Sequence, residues 1–118
     1  MKEGSTNLCH RFFSTMANPT RLAALEHLRE GPLNVSQLAE ALKQEQSMVS
    51  HNLRPLVACR FVEVKRRGKE RVYTLNGETV EALFSIVEGH ARKYCPTGGH
   101  CRVGRSVKSL TRWEGLRW

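Results

Sequence analysis

The stretch QEQSMVSHNLRPLVACR, Gln44 to Arg60, decides how the rest of the chain is read. Val49, Leu53, Leu56 and Val57 fall at the i, i+4, i+7 and i+8 positions of one helical stripe, so the spacing predicts an amphipathic helix with that stripe buried. The opposite face carries Gln46, Ser47, Ser50, His51 and Arg54, of which only Arg54 holds a full charge at neutral pH. An ordinary solvated helix face fills with Lys and Glu. Gln, Ser, His and Arg can instead hydrogen-bond base edges and phosphates without a dense charge field. The stretch therefore reads as a recognition helix for nucleic acid, the alternative being a surface helix that is poor in charge.

The residues before it supply a helical support. Leu8, Cys9, Phe12, Phe13 and Met16 give residues 5–16 a broad apolar helical face that needs a partner. Asn18, Pro19 and Thr20 make a helix start, with Asn18 able to cap backbone N–H groups and Pro19 suited to the first helical position. Leu22, Leu25 and Leu28 come next on one face before Gly31 and Pro32 stop that second helix. Asn34 with Gln37 has the form of a capping box, and Val35, Leu38, Ala39 and Leu42 make a compact third helix. A short helix, a turn at Lys43 to Glu45 and a helix with a polar outer face are the parts of a helix-turn-helix.

The residues after it sharpen the reading. Two β-type runs, Phe61, Val62, Val64 and Val72, Tyr73, Leu75, are joined by a segment holding Gly68 and five cations, Lys65, Arg66, Arg67, Lys69 and Arg71, against the single Glu70. A hairpin of this charge directly after a recognition helix predicts a wing that contacts phosphate through Arg66, Arg67, Lys69 and Arg71. A long helix is predicted over Glu78 to Tyr94 through Val80, Leu83, Phe84, Val87, Ala91 and Tyr94. So small a domain has little interior to cover both this stripe and the first helix. A homodimer through Leu8, Phe12, Met16, Val80, Leu83, Phe84 and Val87 is the expected cover.

Composition bounds the possibilities. The 118 residues, 40% of them hydrophobic, suffice for one globular domain with a core. A net charge of +8, from 19 Lys and Arg against 11 Asp and Glu, implies a polyanionic partner. There is no run of roughly 18 apolar residues and no secretory signal pattern, so a cytoplasmic protein without membrane contact is expected. Four cysteines, Cys9, Cys59, Cys95 and Cys101, are too few and too scattered for a disulfide scaffold, and are expected reduced. No nucleophile motif, phosphate loop or catalytic carboxylate pair suggests an enzyme.

From about Phe13 to Tyr94 the chain resembles the ArsR/SmtB family of winged-helix repressors, which respond to metals, arsenic or sulfur species. The likeness is carried by MANPTRLAALEHL and by SQLAEALKQEQSMVSHNLRPLVACRFVEVKRRGKERVYTL, which match the family's helix-two, recognition-helix and wing patterns. The resemblance implies an α+β, mainly α fold, a winged helix-turn-helix with a two-stranded β-hairpin wing. It also implies a homodimer that represses transcription from double-stranded operator DNA. Residues 1–94 are then the DNA-binding and dimerisation domain and 95–118 a basic, Cys-containing tail. Two departures matter. Where thiol-based family members carry Cys, Val, Cys, this chain reads Asn34, Val35, Ser36, Gln37, Leu38; where zinc sensors place ligands, it has Gly77, Thr79, His90 and Lys93.

Any sensing therefore falls to other residues. Cys95 and Cys101, with five residues between them, can bend onto one soft ion, and Cys9 could supply the third thiolate that trivalent arsenic prefers. This set predicts no required cofactor but arsenite or a soft metal ion as effector. A disulfide between Cys95 and Cys101, or an architectural DNA-coating protein with no effector, are the alternatives. Cys59, among Leu56, Val57, Phe61 and Val62, reads as a small buried apolar residue, although a cadmium and lead sensor of the resembled family has a cysteine ligand at this place.

Overall fold

The computed structural model describes residues 3–95. The chain forms two compact units, one up to Asn76 and one from Gly77 onward. The first contains α1 (Glu3–Met16), α2 (Pro19–Leu28), β1 (Leu33–Asn34), α3 (Val35–Leu42), α4 (Gln46–Ala58), β2 (Val62–Arg67) and β3 (Glu70–Leu75). The second contains α5 (Gly77–Tyr94).

Helix α2 lies at the centre of the first unit, packed on α3 and α4, and buries Ala23, Ala24, Leu25 and Leu28. Two adjacent alanines widen its buried face beyond the leucine stripe and let neighbouring helices approach. Its start is as the sequence predicts: the Asn18 side chain accepts from the Arg21 N–H at 3.0 Å, with Pro19 in the first turn. The capping box also forms, with the Gln37 N–H donating to Asn34 Oδ1 at 2.7 Å and the Asn34 N–H donating to Gln37 Oε1 at 2.9 Å.

Similar reversals bracket α4. At the end of α3, Lys43 takes φ 56 while its N–H bonds Glu40 O and the Gln44 N–H bonds Ala39 O. At the end of α4, Arg60 takes φ 61 while its N–H bonds Val57 O and the Phe61 N–H bonds Leu56 O. Each is a Schellman closure with a charged residue where Gly is usual. The second turns Phe61 back onto the core, where it is buried and meets Phe12 of α1 edge-on at 4.8 Å.

The sheet is antiparallel in the order β1-β3-β2. The sequence predicts two strands; β1 adds a third, pairing Leu33 with Tyr73 and Asn34 with Val72. The expected seven-residue joint is also shorter. The strands run out to Arg67 and Glu70, leaving Gly68 and Lys69 as the turn, with Gly68 at φ 60 as the first position of a tight hairpin turn favours. At the base, the Asn76 N–H and side chain bond Phe61 O and Arg60 O.

Candidate nucleic-acid interface

Helix α4 is two-faced, as its spacing predicts. Val49, Leu53 and Leu56 are buried, while Gln46, Ser47, His51 and Arg54 are exposed and Ser50 is half-buried. Gln46 is not wholly free for a ligand, because its Nε2 donates to Ser36 Oγ at 3.1 Å and so bridges the two helices of the helix-turn-helix. In the turn before α4, Gln44 Nε2 donates to Thr20 Oγ1 of α2 at 3.3 Å. The periodicity missed Met48, which is 52% exposed and offers an apolar surface on the first turns of the same helix. It also missed Asn52, 7% exposed, which interrupts the apolar stripe and makes its hydrogen bonds inside the fold.

The hairpin distributes its cations by register. Val62, Val64 and Arg66 stand opposite Leu75, Tyr73 and Arg71, so the face that is apolar at the base ends in an Arg66–Arg71 pair near the tip. The other face carries Lys65 opposite Val72 and Arg67 opposite Glu70. Glu70 is held there by Asn34, whose Nδ2 donates to Glu70 Oε1 at 3.3 Å. Arg66, Arg67, Lys69 and Arg71 are all exposed. Two arginines opposite each other across a ladder repel. A short, exposed, strongly cationic hairpin is thus better suited to an anionic surface than to water alone.

The cysteines fall in different settings. Cys9 on α1 and Cys95, just past α5, are half-buried; Cys101 lies outside the described residues. Cys59 is exposed rather than buried, a correction to the apolar reading. The cause is the helix end: α4 stops at Ala58 and the left-handed turn at Arg60 carries the chain inward only from Phe61. Its Sγ lies 3.6 Å from Thr15 Oγ1. Among the described residues, no three His, Cys, Asp or Glu side chains come together as a metal site.

The apolar surface differs in detail from the expected one. Leu8 and Phe13 of α1 are 71% and 56% exposed, and Ile86 and Val87 of α5 are exposed. Met16 and Val80, expected in a dimer face, are buried within the chain, and Phe12 is taken up by Phe61. No helix among the described residues is long and apolar enough to cross a membrane.

The pattern described as bacterial regulatory protein, arsR family, matches residues 18–64, the span from the α2 cap through α4 into β2. The HTH-type transcriptional regulator NmtR of Mycobacterium tuberculosis is 50% identical over 76 residues, covering 64% of this chain and 63% of its own. The transcriptional repressor SmtB homolog of Synechocystis sp. is 38% identical over 82 residues, covering 70% of this chain and 62% of its own. This chain belongs to the ArsR family.

The chain spans less than two thirds of the length of those two relatives. Among solved structures, it superposes with TM-score 0.71 on the homodimeric winged helix-turn-helix DNA-binding domain Mb0332 of Mycobacterium bovis, a possible ArsR-family transcriptional regulator. The two share 27% identity over 89% of this chain and 97% of that one. Within this ArsR-family chain, the place where thiol-based members carry Cys, Val, Cys is occupied by structural hydrogen bonds. Asn34 caps α3 and holds Glu70, and Ser36 receives Gln46. His90, at a zinc-sensor position of the resembled pattern, has its ring 4.9 Å from that of Tyr94, centre to centre, and tilted 42° to it.

Proposed function

We propose that the chain is a homodimeric, cytoplasmic repressor that binds double-stranded operator DNA, with α4 in the major groove and the wing on flanking phosphates. The observation that carries this reading is the pairing of a charge-poor, hydrogen-bonding outer face on α4 with a cationic hairpin in one unit. Specific binding should exceed binding to random duplex by roughly 10³-fold or more at physiological salt, and a ratio near one would favour a DNA-coating role. Gln46, Ser47, Ser50, His51 and Arg54 are the base-facing set. Gln46→Ala or Ser50→Ala should weaken operator binding by about 1 to 3 kcal/mol and random-duplex binding much less. Equal losses on both duplexes would assign that residue to the phosphates.

Dimerisation uses the exposed apolar residues of α1 and α5. Leu8→Glu with Phe13→Glu should turn a dimer into a monomer in sedimentation at micromolar concentration; an unchanged dimer would place the interface elsewhere. Operator half-sites then lie about one helical turn apart.

The effector is thiol-reactive, arsenite or a soft metal ion, and acts at Cys95, Cys101 and Cys9. A bound ion changes DNA affinity only by as much as it prefers one arrangement of the dimer over another, typically about 5- to 150-fold. Cys9→Ser should abolish release by arsenite, whereas a switch made by a Cys95–Cys101 disulfide keeps its response to peroxide in that variant. Normal release by both agents after Cys95→Ser and Cys101→Ser together would move the sensor to the exposed Cys59.

A further inference from the structure

Asn52 is the one buried polar side chain among the described residues, and it sits in the apolar stripe of α4 between Val49 and Leu56. Both ends of its amide are engaged. Nδ2 donates to the Met48 carbonyl one turn earlier at 3.1 Å, and Oδ1 accepts from Arg21 Nε at 3.2 Å. Arg21 in turn donates from Nη1 to the Thr15 carbonyl at the end of α1, 3.2 Å away, while its own N–H is held by Asn18. One guanidinium thus joins the last turn of α1, the first turn of α2 and the middle of α4.

An apolar stripe alone fixes the rotation of a helix loosely, since Val and Leu contacts have no direction; the Met48 bond, inside α4, holds the Asn52 side chain in one orientation, and the directional bond from Arg21 then ties the helix to one setting. Rotating α4 about its axis would stretch the Arg21–Asn52 bond and turn Gln46, Ser47, His51 and Arg54 away from their present bearing.

We propose that Arg21 is a positioning residue that sets the rotation of α4 through Asn52 and ties that setting to α1. The inference rests on the proposed DNA-binding function. Its effect falls on discrimination between sequences, because base contacts need the right bearing while phosphate contacts from the wing do not pass through α4.

The test begins by selecting a preferred duplex from a random library with the full chain. Affinities for that duplex and a scrambled one are then compared in Arg21→Met, Asn52→Leu and the double variant. Each single change strands a polar partner and should lower the melting temperature, whereas the double change removes the Arg21–Asn52 pair together and should restore part of it, the Thr15 carbonyl still losing its donor. The preferred-to-scrambled ratio should fall about tenfold in all three, the double included, with scrambled-duplex affinity and salt slope unchanged. Leu28→Ala, a buried change elsewhere on α2, should lower the melting temperature and keep the ratio. Affinities are read well below each melting temperature, so the ratio decides even where stability does not recover. A ratio that is kept in the three variants, that returns with stability in the double variant, or that falls equally in Leu28→Ala overturns the proposal. If the unaltered chain selects no duplex, the DNA-binding reading itself fails, and this inference with it.

Discussion

Changing Arg66, Arg67, Lys69 and Arg71 together to Gln should lower affinity for every duplex by about three orders of magnitude near 0.15 M salt. That size comes from counterion release, about 0.9 logarithmic units of salt dependence per phosphate contact over four contacts. The slope of affinity against salt should flatten by up to roughly 3.6 units, while the ratio of operator to random binding changes little. The hairpin register refines this. Arg66 and Arg71 face each other on one side of the ladder, whereas Arg67 stands opposite Glu70, which Asn34 holds. Arg67→Gln should therefore cost least of the four. Arg66→Gln should weaken DNA binding and yet raise thermal stability slightly, since it relieves a like-charge pair worth roughly 0.2 to 1 kcal/mol. Opposite signs in the two measurements would mark a residue kept for a ligand at the expense of the fold. An unchanged salt slope in the fourfold variant would show that the hairpin does not act as a wing.

The parts of this fold that were legible in the sequence are those set by neighbours along the chain. Asn18 before Pro19 and Asn34 three residues before Gln37 act locally, and each forms the bonds its spacing implies. The stripe on α4 is likewise a property of helical geometry. What the sequence concealed depends on contacts between distant segments. Strand β1 is two residues long and exists because β3 offers an open edge to Leu33 and Asn34. Asn52 looks like a gap in the stripe until Arg21 is placed beside it. Cys59 stands among apolar residues in the sequence, but α4 ends at Ala58 and the left-handed turn at Arg60 carries the chain inward only after it, leaving the thiol exposed. The tip of the hairpin reads as a cationic loop in sequence; only the strand register separates Arg66 and Arg71 from Arg67.

Leu56→Ala should cost about 2 to 5 kcal/mol of unfolding free energy, the range for deleting a buried leucine and leaving most of its cavity. Leu56 is fully buried on α4, and its carbonyl receives the Phe61 N–H in the turn that ends the helix. Little can collapse into the space, because Leu53 and Val49 on the same stripe are also buried and the chain beyond is fixed by Phe61 against Phe12. Small domains hold only about 5 to 15 kcal/mol in all, so this one change should remove a large share of the stability and lower the denaturant midpoint accordingly. DNA binding should then fall with the folded fraction, for specific and random duplexes alike, and recover on cooling or in stabilising salt-free osmolyte. His51→Ala, on the exposed face of the same helix, should change the unfolding free energy by no more than about 0.5 kcal/mol and alter binding alone. The contrast tests the two-faced reading of α4 directly. If Leu56→Ala unfolds no more easily than His51→Ala, the stripe is not the core of this unit, and the assignment of the opposite face to the groove loses its ground.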